Sequence, residues 1–175
     1  MNHTIDQIKG LIRDVPDFPQ EGIVFKDITP LLADRNAFSS VIDLIVVNYG
    51  RGNIDKVVGI EARGFILASP VAYHFGAGFV PVRKQGKLPW DSEAEEYALE
   101  YGTATLEVHK DAILPGERVL IVDDVLATGG TARATARLVE RLGGKVIGIA
   151  CLIELGFLNG RENLSGYDFF SLITY

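Results

Sequence analysis

The residues best suited to chemistry stand together in Val119-Leu120-Ile121-Val122-Asp123-Asp124-Val125-Leu126-Ala127-Thr128-Gly129-Gly130-Thr131. A buried-strand pattern runs into two adjacent carboxylates, then a loop of small residues, then a helical pattern. Over Ala127, Thr128, Gly129, Gly130 and Thr131 the parts of an anion cradle are present. Glycines let backbone N–H groups close on an anion, threonine hydroxyls add donors, and a helix N-terminus adds its positive dipole end. The order matches neither a Walker loop, which needs Gly-Lys-Ser/Thr, nor a GxGxxG dinucleotide turn. Paired acids at a strand end, Asp123 and Asp124 here, hold sugar hydroxyls or a hydrated Mg²⁺. An aspartate cap followed by a glycine turn would need only part of this order.

A second group is cationic: Arg83, Lys84 and Lys87 place three positive charges within five residues. The chain as a whole has Lys+Arg 17 against Asp+Glu 23, a net charge of −6 over 175 residues. The cluster is therefore a local reversal of sign, suited to a polyanion. An acidic run follows, Asp91, Glu93, Glu95 and Glu96, expected to be solvated or to pair with the basic cluster. His3, His74 and His109 lie near no nucleophile in the sequence and are assigned no role.

The elements that must position these groups follow from periodicity. Ile5, Ile8, Leu11, Ile12 and Val15 recur at helical spacing up to Pro16 and Pro19. A second helical pattern runs from Phe38 to Tyr49, with Asn36 as N-cap and Gly50 as its stop. Strands are predicted at 56–60, 78–82, 118–122, 145–153 and 169–173, with alternation over 103–108. Helices are predicted at 64–75, despite Pro70, and at 131–142, closed by Gly143-Gly144. From Arg83 to about Glu100 the pattern breaks into a long mobile loop with some strand near its end, and loops of that length are usually functional. Buried strands alternating with helices imply βαβ units and a mostly parallel sheet. Ligands then bind at the carboxyl ends of the strands.

Composition narrows the class. The 47% hydrophobic content at this length suffices for one domain with its own core. The acidic balance excludes a general nucleic-acid or anionic-membrane binder. One cysteine, Cys151, excludes an intrachain disulfide and a zinc-finger site. No apolar run approaches the ~18 residues of a membrane span. The opening residues lack a signal-peptide pattern, so a cytoplasmic protein is expected.

The 119–131 segment resembles the phosphoribosyl-pyrophosphate (PRPP) signature of the type I phosphoribosyltransferases, and the remainder resembles the adenine-using branch of that family. The matching segments are Phe18-Pro19-x-x-Gly22-Ile23-x-Phe25-Lys26-Asp27-Ile28-Thr29-Pro30-Leu31-Leu32, Gly59-Ile60-Glu61-Ala62-Arg63-Gly64-Phe65, Arg83-Lys84-x-Gly86-Lys87-Leu88-Pro89 and Leu99-Glu100-Tyr101-Gly102. Ile153-Glu154-Leu155 and Ser171-Leu172-Ile173-x-Tyr175 fit near the end. The resemblance implies an α/β fold: a mostly parallel central sheet flanked by helices, a small N-terminal hood over about 1–35, and a mobile active-site loop over about 83–102. It implies one such domain over 1–175.

By the same resemblance, Asp123 and Asp124 would hold the ribose hydroxyls and Ala127 to Thr131 the 5′-phosphate. Glu61-Ala62-Arg63-Gly64 would be the pyrophosphate loop, with a non-proline cis peptide. Arg63 offers a fork of donors to pyrophosphate oxygens, and Arg83 would reach a partner subunit's site in a homodimer. Val24, Phe25 and Lys26 would cover the purine, Phe25 stacking on it, with Leu126 on its other face. Glu100 and Tyr101 would close over the reacting centre, Glu100 next to the base. Mg²⁺ is the implied cofactor, held mainly through PRPP and through water to Asp123 or Asp124. The implied reaction is adenine + PRPP → AMP + pyrophosphate. Two other readings are a 6-oxopurine transferase and a PRPP-binding regulator without catalysis. The regulator would need a DNA-binding element, for which the chain has neither spare length nor a basic helix.

Overall fold

The computed structural model describes residues 4–50, 54–98 and 102–175. The chain divides into two compact units, Met1–Leu44 and Ile45–Tyr175. In the first, helix α1 (Ile5–Gly10) opens on a capping box in which Thr4 and Gln7 exchange side-chain to backbone hydrogen bonds. It stops earlier than the helical spacing predicts. Arg13–Pro16 forms strand β1, antiparallel to β2 (Val24–Asp27), with Val15 opposite Phe25. Cross-strand pairing overrides the helical period where Val15 and Pro16 favour extended backbone. A short helix α2 (Thr29–Ala33), begun by Pro30 in its first turn, was not foreseen. Helix α3 (Arg35–Tyr49), whose residues from Ile45 on belong to the second unit, is capped by Asp34, whose Oδ1 accepts from the N–H groups of Asn36 and Ala37. The cap is therefore Asp34 and not Asn36, because Asp34 keeps extended backbone while Asn36 already lies within the helix.

The second unit is built on a seven-stranded sheet in the order β5-β6-β4-β3-β7-β8-β9. Its strands are β3 (Lys56–Ile60), β4 (Gly78–Lys84), β5 (Ser92–Ala98), β6 (Thr103–His109), β7 (Arg118–Leu126), β8 (Lys145–Glu154) and β9 (Phe169–Thr174). The run from β4 through β9 is parallel, and β6 and β5 add an antiparallel hairpin beyond β4. Helices α4 (Gly64–Phe75) and α5 (Gly130–Arg141) cross between parallel strands.

The four-residue apolar runs Val57–Ile60 and Val119–Val122 are buried on both faces, as strands covered by helices must be. Val58, Val80, Ile121, Leu138, Ile149 and Leu164 belong to one core cluster. Where β3 meets α4, a Cβ on Gly59 would lie 2.8 Å from both Ala68 Cβ and the Phe79 ring, so only glycine fits.

The break expected after Arg83 is shorter than the sequence pattern suggests. β4 continues to Lys84, and Ser92–Ala98 is a regular strand paired residue for residue with Thr103–His109. Asp91 and Glu96 of the acidic run are exposed, as expected, while Glu93 and Glu95 are neither solvated nor paired with Arg83, Lys84 and Lys87. Glu93 and Glu95 instead meet Arg137 and Arg141 of α5, and Asp91 meets Lys110. Alternation within a strand turns every second acid toward α5, an arrangement that charge counting along the chain does not reveal.

Candidate active site

Adjacent parallel strands β3 and β7 pair in register, Gly59 with Val122, so their carboxyl ends lie side by side. β7 carries its order through Leu126, which places Asp123 and Asp124 on the strand itself and not in the loop after it. Beyond β3 the Glu61–Ala62 peptide is cis, as the family resemblance implies, and Gly64 starts α4. A Cβ at Gly64 would sit 2.7 Å from Asp123 Oδ1 and 3.1 Å from the Val122 carbonyl oxygen. Glycine therefore lets the start of α4, with its positive dipole end, press against the Asp123 carboxyl.

Asp123 Oδ1 accepts from the Asp124 N–H at 2.9 Å. Burial, followed by the charge of Asp124, raises the Asp123 carboxyl well above the usual carboxylate range. Asp124 is 5% exposed, and its Oδ2 lies 2.8 Å from Arg63 Nε. That contact is a close ion pair without hydrogen-bond alignment, so Oδ2 has a charge partner and no aligned donor. A buried oxygen in that position is available to a ligand hydroxyl.

Glu61 and the basic cluster are likewise engaged with one another. Glu61 accepts from Arg83 Nε at 3.3 Å and from the Lys84 N–H at 2.9 Å, while Arg83 Nη1 donates to the Lys87 carbonyl at 3.1 Å. The Lys84 N–H is the main cause holding the Glu61 carboxyl below its ordinary value, and Arg83 adds to it against the opposing effect of burial. Arg83 thus sits against its own chain's Glu61.

A cavity of about 340 Å³ gathers Glu61, Ala62, Arg63, Lys84, Asp123 and Asp124 with Tyr97, Val125, Ala127 and Thr131. A recess of about 70 Å³ continues from it, lined by Asp123 and by Val125 through Gly129 together with Thr131 and Ala132. That recess is the cradle. Gly129 adopts φ +84, where a side chain is strained, and α5 starts at Gly130.

The cradle is backed by a 3-10 turn at Gly160–Leu164. A Cβ on Gly129 would strike the Gly160 carbonyl, and one on Gly160 would strike the Ala127 carbonyl. Asn163 Nδ2 donates to the Thr128 carbonyl at 2.7 Å. The turn is in turn anchored by Arg161, which forks onto the buried Glu154 at 2.9 and 2.6 Å. Gly160, Asn163, Arg161 and Glu154 were not predicted as site residues, and no signal at positions 127–131 points 30 residues downstream. Tyr97 was missed because its segment reads as loop, and Val125 because it reads as an apolar strand residue.

Of the other predicted residues, Leu126 is 2% exposed within the core cluster and lines the 70 Å³ recess, while Val125 lines both that recess and the 340 Å³ cavity. Strand alternation turns Leu126 inward. In the first unit Phe25 packs edge-to-face on Phe18 at 5.2 Å, Val24 is exposed, and the Lys26 ammonium pairs with Asp14 at 2.7 Å. Glu100 and Tyr101 lie outside the described residues.

Comparison with known proteins matches residues 29–171 to the phosphoribosyl transferase domain model. The chain belongs to the phosphoribosyl transferase family. An adenine phosphoribosyltransferase of Acidothermus cellulolyticus is 63% identical over 153 residues, 87% of this chain and 86% of that protein. The crystal structure of the adenine phosphoribosyltransferase of Thermoanaerobacter pseudethanolicus superposes with TM-score 0.94 at 55% identity, covering 98% of this chain and 100% of that one. The Giardia lamblia enzyme, complexed with 9-deazaadenine, superposes with TM-score 0.93 at 41% identity, covering 99% of each chain. The type I phosphoribosyltransferase fold, with its mostly parallel sheet between helices, is that of these relatives.

Proposed function

We infer that this phosphoribosyl transferase uses adenine, converting adenine and PRPP to AMP and pyrophosphate. The observation that carries the transfer chemistry is the Asp123–Asp124 pair opening into the 127–131 cradle, with Arg63 in contact with Asp124. Adenine as the acceptor base is supported by the relatives, which are adenine phosphoribosyltransferases over nearly the whole chain. No feature of the cavity favours a 6-oxopurine or a regulator without catalysis.

In this reading the cradle N–H groups and Thr128 and Thr131 hydroxyls hold the 5′-phosphate, and Asp123 and Asp124 accept from the ribose hydroxyls. Arg63 then passes from Asp124 to the pyrophosphate, with Lys84, Arg83 and Lys87 beside it. Positive charge fixed where the leaving group gathers negative charge lowers the barrier as the anomeric carbon becomes oxocarbenium-like. Val24, Phe25 and Lys26 supply the purine hood, and Glu100 and Tyr101 the groups that close beside the base.

The charges around the larger cavity fit a divalent cation. Its lining holds three carboxylates, Glu61, Asp123 and Asp124, against two cations, Arg63 and Lys84, so a pyrophosphate needs further positive charge. Among the described residues no cluster of three acids, histidines or cysteines could hold a metal alone. Mg²⁺ would therefore ride on the PRPP oxygens, with water to Asp123 or Asp124, and supply charge neutralisation and a template for the leaving group. A homodimer belongs to the same reading. It is supported by apolar surface on the second unit, where Ile66, Tyr73 and Phe79 are 42%, 85% and 38% exposed. No helix among the described residues is long and apolar enough to cross a membrane, and we place the enzyme in the cytoplasm.

The test is nucleotide formation from PRPP and Mg²⁺ with adenine, hypoxanthine and xanthine in parallel. AMP with adenine alone is expected, and Asp124→Asn and Arg63→Ala should each lower turnover tenfold or more while remaining folded. Product from a 6-oxopurine at a comparable rate, or from no base at all, would overturn the reading.

A further inference from the structure

Strand β5 presents Glu93, Glu95 and Tyr97, alternate residues, toward one stripe of α5. Arg141 Nη1 donates to Glu93 at 2.9 Å and to the Ala94 carbonyl at 2.7 Å, and its Nη2 contacts Glu95. Arg137 Nη1 donates to Glu95 at 3.1 Å. Two residues further along β5, the Tyr97 ring lies 3.3 Å from where a Gly130 Cβ would stand. Gly130, Arg137 and Arg141 are spaced by seven and four residues, on one face of the helix. The strand therefore runs down the helix toward its N-terminus, which is the end that forms the phosphate cradle.

Among the described residues Tyr97 is the one aromatic side chain of the 340 Å³ cavity, and it also lines a second cavity of about 390 Å³ with Thr128, Gly130, Arg133, Arg137 and Asn163. It is the described residue common to both. We propose that Glu95, Arg137 and Arg141 are positioning residues: their ion pairs set the register of β5 on α5, so that Tyr97 walls the substrate cavity against the cradle. Tyr97 is then a substrate-contacting residue, and PRPP is the substrate it confines.

The pairing is suited to a register lock. The Glu95 side chain is 12% exposed and shared by two arginines, whereas Arg137 and Arg141 are half in water. Burial raises the Glu95 carboxyl, but the two guanidinium hydrogen bonds outweigh it and hold it below its ordinary value. A slip of β5 by one residue would turn Glu95 and Tyr97 to the opposite face together. A slip by two would carry Tyr97 off Gly130. Only the observed register satisfies both arginines and leaves the glycine covered.

The inference rests on the transferase reading, and its test separates the two. Steady-state kinetics are measured for wild type, Glu95→Gln, Arg141→Gln, Tyr97→Ala and the double variant Glu95→Gln/Tyr97→Ala, each checked by circular dichroism. Lys110→Gln, which removes the exposed pair to Asp91, is the control and should match wild type.

Expected is a fivefold or greater rise in KM for PRPP in Glu95→Gln and Arg141→Gln, with KM for adenine within twofold. The double variant should be no worse than Tyr97→Ala alone, because the clamp acts through that ring. An unchanged KM for PRPP in both single variants, or effects that multiply in the double variant, would overturn the proposal. Amide hydrogen exchange reads the clamp without substrate. Protection of β5 should fall tenfold in Glu95→Gln, and equal protection would also overturn it. Absence of AMP formation by wild type itself would count against the transferase reading and leave the exchange result to judge the clamp.

Discussion

The Glu154–Arg161 fork ties the turn behind the phosphate cradle to the end of β8, and its two halves differ sharply in exposure. The Glu154 side chain is 8% exposed and that of Arg161 56%. Removing the arginine strands a buried carboxylate, a change that costs about 3–5 kcal/mol when nothing compensates it. Ser171 still donates to Glu154 Oε2 at 2.7 Å. We therefore expect the low end, about 3 kcal/mol, for Arg161→Ala.

Glu154→Gln leaves a guanidinium half in water and an amide that still accepts one bond, so about 1–1.5 kcal/mol is expected. For a chain of this size a 1 kcal/mol change shifts Tm by about 2–4 °C. The arginine variant should then melt about 6–12 °C below wild type, and the glutamine variant about 2–6 °C below.

Arg161 holds the folded-state Glu154 carboxyl below its unfolded value. The stabilisation of the pair is therefore present above the unfolded carboxylate pKa of about 4.3 and lost as pH falls through the lowered folded value. In Arg161→Ala the unpaired buried carboxyl rises instead and protonates first. The gap between the two proteins must narrow as pH drops from 7 toward 4. Thermal and urea unfolding across that range checks both points. A larger loss in Glu154→Gln than in Arg161→Ala, or a gap that does not change with pH, would refute the reasoning.

Two further outcomes follow from the geometry. Gly129→Ala places a Cβ at φ +84 and against the Gly160 carbonyl, so PRPP binding should weaken tenfold or more by titration calorimetry, with the fold retained by circular dichroism. Cys151 is fully buried, and burial before all else raises its thiol above the usual range. It should react with a thiol reagent no faster than the protein unfolds, and rapid modification of native protein would contradict its placement.

The legible part of the fold was the part governed by short-range rules. β3, β7 and β8 are apolar runs between turn residues, and α5 is a periodic helix stopped by glycines, so their existence and order could be read directly. β1 could not, because Val15 satisfies a helical spacing and becomes strand only by pairing with Val24–Asp27. β5 could not, because Glu93, Glu95 and Glu96 read as a solvated charge run until Arg137 and Arg141, more than 40 residues on, are placed beside them.

The site divides in the same way. Asp123, Asp124 and the cradle are contiguous and carry their chemistry in their order. Gly160, Asn163 and Tyr97 join the site only through the fold, and a lone glycine, asparagine or tyrosine carries no local mark of it. The positive patch expected from composition also needed the structure. Arg63 and Arg83 are there, but each already faces a carboxylate.

That internal pairing makes recognition an exchange of partners. Arg63 is held by Asp124 and Arg83 by Glu61, so a small anion arriving alone must pull an arginine away and leave an acid behind without a partner. In the proposed reading PRPP would present anionic oxygens to Arg63 and hydroxyl donors to Asp124 in the same molecule, so both halves of that broken pair would be satisfied together. Selectivity of this kind does not require a tighter grip on phosphate. It requires a ligand with both kinds of group at the separation of one salt bridge, a condition that inorganic phosphate and pyrophosphate do not meet.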